Sequence, residues 1–223
     1  MTALVISTDA PAVPGPPQGQ WTYADWEELS DNGNRYEIID GVLYMTTAPR
    51  SFHQWIIKQL VRYIAIPAED QGLAFGFPAP VGVIMPGCDP VQPDFVVVLA
   101  SRKSIFRERR IMDVPDLLVE ILSPPPQAEV KASFINKAYD QQVKLEAYAR
   151  AGVPEYAIVD PRARILSHYR LEKEALLPPD GGVTGRYAAP HVYGEAEVAS
   201  FDCLPTISVP VGGLFAGAPD TTL

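Results

Sequence analysis

Gln92-Pro93-Asp94-Phe95-Val96-Val97-Val98, answered later by Asp116-Leu117-Leu118-Val119-Glu120-Ile121-Leu122-Ser123, decides how this chain is read. Each run is short, β-branched and apolar, the pattern of a buried strand. Each also carries one acidic side chain that such a strand normally avoids. Asp94 opens the first strand and Glu120 sits well inside the second. Burying an ionised carboxylate costs several kcal/mol unless a cation or donor compensates it. Two adjacent strands bring both acids to one point, where a divalent metal supplies that compensation. The plainer alternative makes Asp94 a turn residue and pairs Glu120 with one arginine.

The surrounding chain is long enough, at 223 residues, for one domain with a real core. Residues 1–20 are expected to form a flexible Pro- and Gly-containing arm, 21–216 a single domain, and 217–223 a C-terminal tail. With 47% hydrophobic and 20% charged residues the composition is that of a globular protein. No run reaches the roughly 18 apolar residues of a membrane span, so no membrane partner is expected. The N-terminus lacks the basic and apolar regions of a signal peptide. Cys88 and Cys203 are too few for a disulfide framework or a zinc site, and two thiols fit a reducing cytoplasm. The formal net charge of −9 argues against a dedicated nucleic-acid binder but leaves room for a nuclease with an acidic centre. Arg102, Lys103, Arg107, Arg109 and Arg110 form one basic run, read either as a phosphate-holding patch or as a solvated loop.

Local signals order the elements. Trp21 to Leu29 reads as a short helix capped by Thr22, with Asp25 completing an imperfect capping box. Arg35–Ile39 and Val42–Thr46 flank Asp40-Gly41, a hairpin signal for a type I′ turn, which puts Glu37 on a strand. Ser51 to Ile66 has helical spacing, with Ser51 as its cap, Pro67 as its end and His53 in its first turn. One strand is expected across Ala74 to Met85, then a tight turn over Pro86 to Pro90, then the two acid-bearing strands. Ala132 to Ala151 reads as a helix ended by Gly152, and Glu155–Asp160 as a buried strand with Ile165–Leu171 as its hairpin partner. Short strands follow over Tyr187–Tyr193 and Ala196–Phe201, with Leu214-Phe215 packing behind them. These elements predict one α+β domain.

On the long helix, Asp140, Lys144 and Tyr148 are four residues apart and share a face. That face is either an ordinary surface pair or a polar stripe overhanging Asp94 and Glu120. Two strand carboxylates and one lysine form a minimal kit for metal-assisted phosphodiester hydrolysis. Hard carboxylate oxygens hold Mg²⁺ or Mn²⁺. The metal acidifies a water and neutralises charge on the phosphate, and the lysine steadies the reacting group. If these acids are uncompensated, removing one by Asp94→Ala or Glu120→Ala is expected to leave the fold intact and even to raise stability in the absence of metal.

Read in order, several segments carry a family resemblance. They are Arg35-Tyr36-Glu37-Ile38-Ile39-Asp40-Gly41, Pro49 to His53, Gln92-Pro93-Asp94, Asp116 to Pro124, and Ala138-Tyr139-Asp140 through Lys144 and Tyr148 to Tyr156. Together they resemble the Uma-two family of restriction-endonuclease-like proteins, a branch of the PD-(D/E)XK nuclease superfamily. The resemblance implies a central mixed sheet flanked by helices, with added β-hairpins. It implies Asp94 and Glu120 as metal-binding acids, the Ile121 carbonyl as a further ligand, and Lys144 as the catalytic amine, since Leu122 stands where that lysine is usually found. Glu37, His53 and Asp140 are accessory candidates. It further implies a Mg²⁺-dependent DNA endonuclease, with Mn²⁺ able to substitute, working as a homodimer. The chain departs from the family at 125–137, where extra sequence brings Lys131 and Lys137 into competition with Lys144. The alternative function is a weak or inactive nuclease-fold module that binds or regulates.

Overall fold

In the computed structural model, which describes residues 3–5, 13–30, 34–46, 49–108, 110–123, 139–172 and 185–222, the two acid-bearing runs lie side by side. The strands in chain order are β1 (Ala3–Val5), β2 (Arg35–Ile39), β3 (Val42–Thr46), β4 (Ala74–Pro78), β5 (Gly82–Met85), β6 (Cys88–Val91), β7 (Phe95–Leu99) and β8 (Phe106–Arg107). They continue with β9 (Arg110–Ile111), β10 (Leu117–Ile121), β11 (Glu155–Asp160), β12 (Ile165–Glu172), β13 (Arg186–Tyr187), β14 (His191–Tyr193), β15 (Val198–Phe201) and β16 (Leu204–Pro210). A central sheet has the order β13-β12-β11-β10-β7-β4, with β14 also on β12. A second sheet has the order β1-β3-β2-β6-β5-β9-β8, and β15-β16 is a separate hairpin. β7 runs antiparallel to β10, with Val97 opposite Leu117 and Phe95 opposite Val119. β10 and β11 are parallel, so the chain between them must cross over the sheet, and the Leu145–Ala151 helix lies on that crossover. The fold is α+β and mixed, as the sequence predicts.

The period-two alternation of strands divides the core in two. Phe95, Val97, Val119 and Ile121 pack with Phe52, Ile56 and Leu60 of the Ser51–Leu60 helix. Val96, Val98, Leu118 and Ile158 pack on the other side with Val83, Met85, Ala147 and Tyr148. Ile56 and Leu60, and Ile64 in the turn that follows, are fully buried, which at about 1.5–3 kcal/mol each ties this segment firmly to the sheet. The hairpin turn has Asp40 at φ 50° and Gly41 at φ 72°, both left-handed, as a type I′ turn demands. Thr22 and Asp25 form a reciprocal capping box on the Tyr23–Glu27 helix. Gly152, at φ 90°, ends the Leu145–Ala151 helix.

Several local expectations change. Ala74 to Met85 is not one strand: β4 joins the central sheet and β5 the second sheet. Pro78 and Pro80 lack N–H donors, so the ladder stops there and the chain changes sheets. The turn before Asp94 shrinks to Pro86-Gly87, because Cys88–Val91 already pairs as β6. The helix from Ser51 continues past Pro67 to Asp70 through a wider π-helical turn over Val61–Ala65, with Pro67 in the first turn of the Ile66–Asp70 segment, where no N–H is needed. Arg50 occupies the cap position without a side-chain bond, and the Ser51 hydroxyl instead donates to Asp220, 3.2 Å away. The arm expected to be flexible is partly built in. Ala3–Val5 pairs with β3, whose open edge offers unmatched backbone groups. Val13 and Trp21 are buried, and the Gly19 and Trp21 N–H groups both donate to the Gly41 carbonyl. β16 has no counterpart in the expected elements, and the insertion at 125–137 lies outside the described residues.

Glu155, at the start of β11, anchors the β15-β16 hairpin to the central sheet. Its carboxylate accepts N–H bonds from Asp202 at 2.8 Å and Cys203 at 2.7 Å, and His168 Nε2 lies 2.7 Å from it. Burial pushes this carboxyl up, but the His168 contact and the two backbone donors outweigh it and hold the group below its ordinary value. Glu155→Gln is therefore expected to cost about 2 kcal/mol near neutral pH. Because the folded-state value is depressed, the wild-type advantage is fully present above the unfolded carboxyl value of about 4.3 and is lost as pH falls through the folded one. Urea denaturation of both proteins across that range checks this. A gap that stays constant into acid would show that the charge of Glu155 is not its source.

Candidate functional site

Strand alternation aims the first two acids. Tyr36 and Ile38 pack against Trp21 and Leu43, so Glu37 between them turns to the opposite face of β2. Glu120 shares its face of β10 with Leu118, toward the Leu145–Ala151 helix. Lys144 immediately precedes that helix, and Tyr148 follows one turn later on the same side. The four side chains meet in the interior. Lys144 Nζ lies 2.8 Å from Glu120 Oε1, and 3.1 Å and 3.0 Å from the two Glu37 oxygens. The Tyr148 hydroxyl donates to Glu120 Oε1 at 3.1 Å, and the Gln92 backbone N–H donates to Glu37 Oε1 at 2.7 Å. Burial, reinforced by the Glu120 and Glu37 charges, pushes the Tyr148 phenol well above its ordinary value, so it stays protonated and serves as a donor.

Asp94 sits at the entry to β7, fully buried. Its Oδ2 accepts the Ile121 N–H at 2.9 Å and lies 3.0 Å from His53 Nε2, which the Ser51–Leu60 helix brings in from the opposite layer. Burial alone would raise this carboxyl. The neighbouring His53 and the Ile121 N–H outweigh it and hold Asp94 well below the usual carboxylate range. Asp94 is thus bonded to β10 at Ile121, the residue that follows Glu120.

The structure thus gathers Glu37, Glu120 and Lys144 into one hydrogen-bonded cluster and places Asp94 with His53 and Ile121 beside it. None of Glu37, His53, Asp94, Glu120 and Lys144 is more than 4% exposed. The surface-pair alternative for Lys144 is excluded by that burial. The Asp140 side chain, Lys131 and Lys137 lie outside the described residues. One expectation is overturned: these acids are not uncompensated without a metal. Lys144 and Tyr148 serve Glu120, while Ile121 and His53 serve Asp94. The backbone donor from Gln92 to Glu37 was not foreseeable, because no side-chain pattern reports where a backbone N–H points.

Among the described residues no group of three or more His, Cys, Asp and Glu side chains forms a ready-made metal cage. The donor chemistry nonetheless fits a hard divalent cation. Asp94 Oδ1 is a buried anionic oxygen with no hydrogen-bond partner among the described residues. Leaving such an acceptor unmatched costs about 1–3 kcal/mol, and oxygen ligands of this type suit Mg²⁺, Ca²⁺ or Mn²⁺.

A family model described as "Uma2: Putative restriction endonuclease" matches residues 22–211. Among solved structures, one titled as a putative nuclease belonging to DUF820 from Anabaena variabilis superposes with a TM-score of 0.64 at 18% identity, covering 87% of this chain and 97% of that one. At that identity the likeness is one of fold. None of the curated proteins matches.

The buried cluster makes a stability prediction. Lys144→Met removes the ammonium that contacts both Glu37 and Glu120 and is expected to cost about 3–5 kcal/mol. Asp94→Ala, which strips a partner from the Ile121 N–H and from His53, is expected to cost about 1–3 kcal/mol in the absence of metal. Denaturant unfolding in EDTA checks both. A Lys144→Met protein as stable as wild type would mean that the lysine does not hold these acids together.

Proposed function

Because the chain belongs to the Uma2 family, whose members carry the restriction-endonuclease description, we propose that it is a divalent-metal-dependent endonuclease hydrolysing phosphodiester bonds in DNA. The observation that carries this reading is a buried lysine 2.8 Å from Glu120, beside a buried Asp94 whose Oδ1 has no donor among the described residues. Asp94 and Glu120, with the Ile121 carbonyl, would hold Mg²⁺, or Mn²⁺ in its place. When bound, such an ion acidifies water and offsets charge on the phosphate.

The chain's own residues prepare the rest. Ile121 N–H and His53 orient the Asp94 carboxylate so that its second oxygen stays available. Tyr148 and Lys144 both reach Glu120 Oε1 and fix its rotamer. Lys144 brings a positive charge to where the phosphate's negative charge grows, and Glu37 keeps that ammonium in place. The low exposure of the cluster excludes bulk water and strengthens each of these interactions. Cutting both strands of a duplex calls for two such centres, which a homodimer supplies.

One observation favours a second reading, a nuclease-fold module that binds or regulates without cutting. Lys144 already contacts both Glu37 and Glu120, which balances much of their charge without a metal. Calorimetric titration of Mn²⁺ and plasmid nicking on the same samples separate the two. The nuclease reading expects wild-type binding and nicking. It expects both to fall by at least about 10–100-fold in Asp94→Ala and Glu120→Gln, the loss that even outer-shell partners of a metal carry. Lys144→Ala is expected to reduce the rate more than the affinity for Mn²⁺. Binding without nicking of any DNA would favour the module, and wild-type nicking by Asp94→Ala would remove Asp94 from the site.

A further inference from the structure

The acid centre does not absorb the basic run that the sequence singles out. Arg102 is engaged by Asp116 at 3.0 Å and Asp113 at 3.5 Å. Arg110 is placed differently. Its guanidinium lies 4.5 Å from the ring centre of Tyr23 and 5.3 Å from that of Trp26, and it pairs with Glu27 at 2.8 Å. It forms one wall of a cleft of about 340 Å³ that is also lined by Trp26, Glu27, Asn34, Tyr36 and Gln92. Gln92 belongs to both places. Its backbone N–H donates to Glu37 Oε1 at 2.7 Å, its Nε2 lies 3.5 Å from the Tyr36 carbonyl, the residue lines the cleft, and Asp94 follows two residues later. Tyr36 lines the cleft on one face of β2, Glu37 beside it turns to the acid centre on the other, and Gln92 connects the two.

We propose that this cleft takes up one nucleotide of the substrate strand beside the cleaved phosphodiester, a reading that rests on the nuclease function above. The nucleotide's phosphate meets Arg110, and its base lies along Trp26 with its edge toward the Asn34 and Gln92 amides. A guanidinium fork matches phosphate oxygens. Amide side chains offer a donor and an acceptor to a base edge, and an indole is the apolar wall on which bases rest. Arg110 is 13% exposed and held by two rings, so little freedom is lost when it meets a ligand. Its partner Glu27 is 49% exposed, which makes that ion pair weak and exchangeable for a phosphate.

Fluorescence anisotropy with labelled single-stranded and duplex DNA oligonucleotides, in EDTA so that nothing is cut, tests the proposal on the full chain. Arg110→Gln is expected to bind about tenfold more weakly. It is also expected to show a slope of log affinity against log salt smaller by about one. Arg110→Lys keeps the charge and is expected to retain the slope. Asn34 also lines the cleft, and Asn34→Ala serves as a second variant if Arg110→Gln fails to fold, with roughly fivefold weaker binding and a flattened base preference. Wild-type DNA binding with unchanged affinity and slope in Arg110→Gln and unchanged affinity in Asn34→Ala would overturn the cleft and leave the nuclease reading standing. A mononucleotide binding as tightly as the oligonucleotide would assign the cleft to a free nucleotide and overturn the proposal too. A wild type that neither binds DNA nor nicks it with Mn²⁺ would remove the nuclease reading and this inference with it.

Discussion

A buried lysine between two buried glutamates is the constraint on which the rest of this structure depends. Glu37 comes from the second sheet, Glu120 from the central sheet, and Lys144 from the crossover between β10 and β11. Each group alone is costly to take out of water, and none is tolerable in the interior without the others. The cluster therefore joins three layers that apolar packing alone would leave free to slide. Tyr148 adds a neutral donor to the same Glu120 oxygen, which fixes how the helix sits as well as where. Buried ionic clusters are poor sources of net stability. On the proposed function, their persistence here reflects the chemistry that they position.

The second organising feature is the short connection Gln92-Pro93-Asp94 between β6 and β7. It links the second sheet to the central one, and every part of it has a task. The Gln92 N–H holds Glu37, Pro93 carries no N–H, and Asp94 turns inward to Ile121 and His53. His53 arrives from the Ser51–Leu60 helix, whose burial on the sheet sets the depth of that ring. The acid centre is thus reached from both faces of one sheet. A carboxylate at the entry to a strand can be approached from either side, which a residue in mid-strand cannot.

A net charge of −9 does not by itself bar a phosphate ligand. The acids are distributed between buried pairs and exposed partners of arginines, as in Arg170 with Asp202 and Arg186 with Glu172. Local field near a site matters more than the total, because salt screens charges beyond roughly 8–10 Å. Lys144 inside the cluster is such a local cation, in contact with both glutamates, and Arg110 lines the cleft that Gln92 shares.

The sequence by itself determined the strands that carry Asp94 and Glu120, the Asp40-Gly41 hairpin, the Thr22 capping box and the Gly152 helix end. All of these rest on interactions within a few residues, which composition and spacing record directly. Asp94 and Glu120 stand out as acids in otherwise apolar runs, whereas the choice of Lys144 as the amine and of Glu37, His53, Asp140 and the Ile121 carbonyl as companions rested on the family resemblance. Only the tertiary structure decided that Lys144 contacts both glutamates, that Asp94 is served by Ile121 and His53, and that Gln92 ties the acid centre to a cleft. It also decided that Ala74 to Met85 divides between two sheets and that Ala3–Val5 adds an edge strand. Such outcomes depend on backbone donors and side chains brought together from distant parts of the chain. Whether a buried charge is compensated is set by what surrounds it in space, and local sequence carries no record of that.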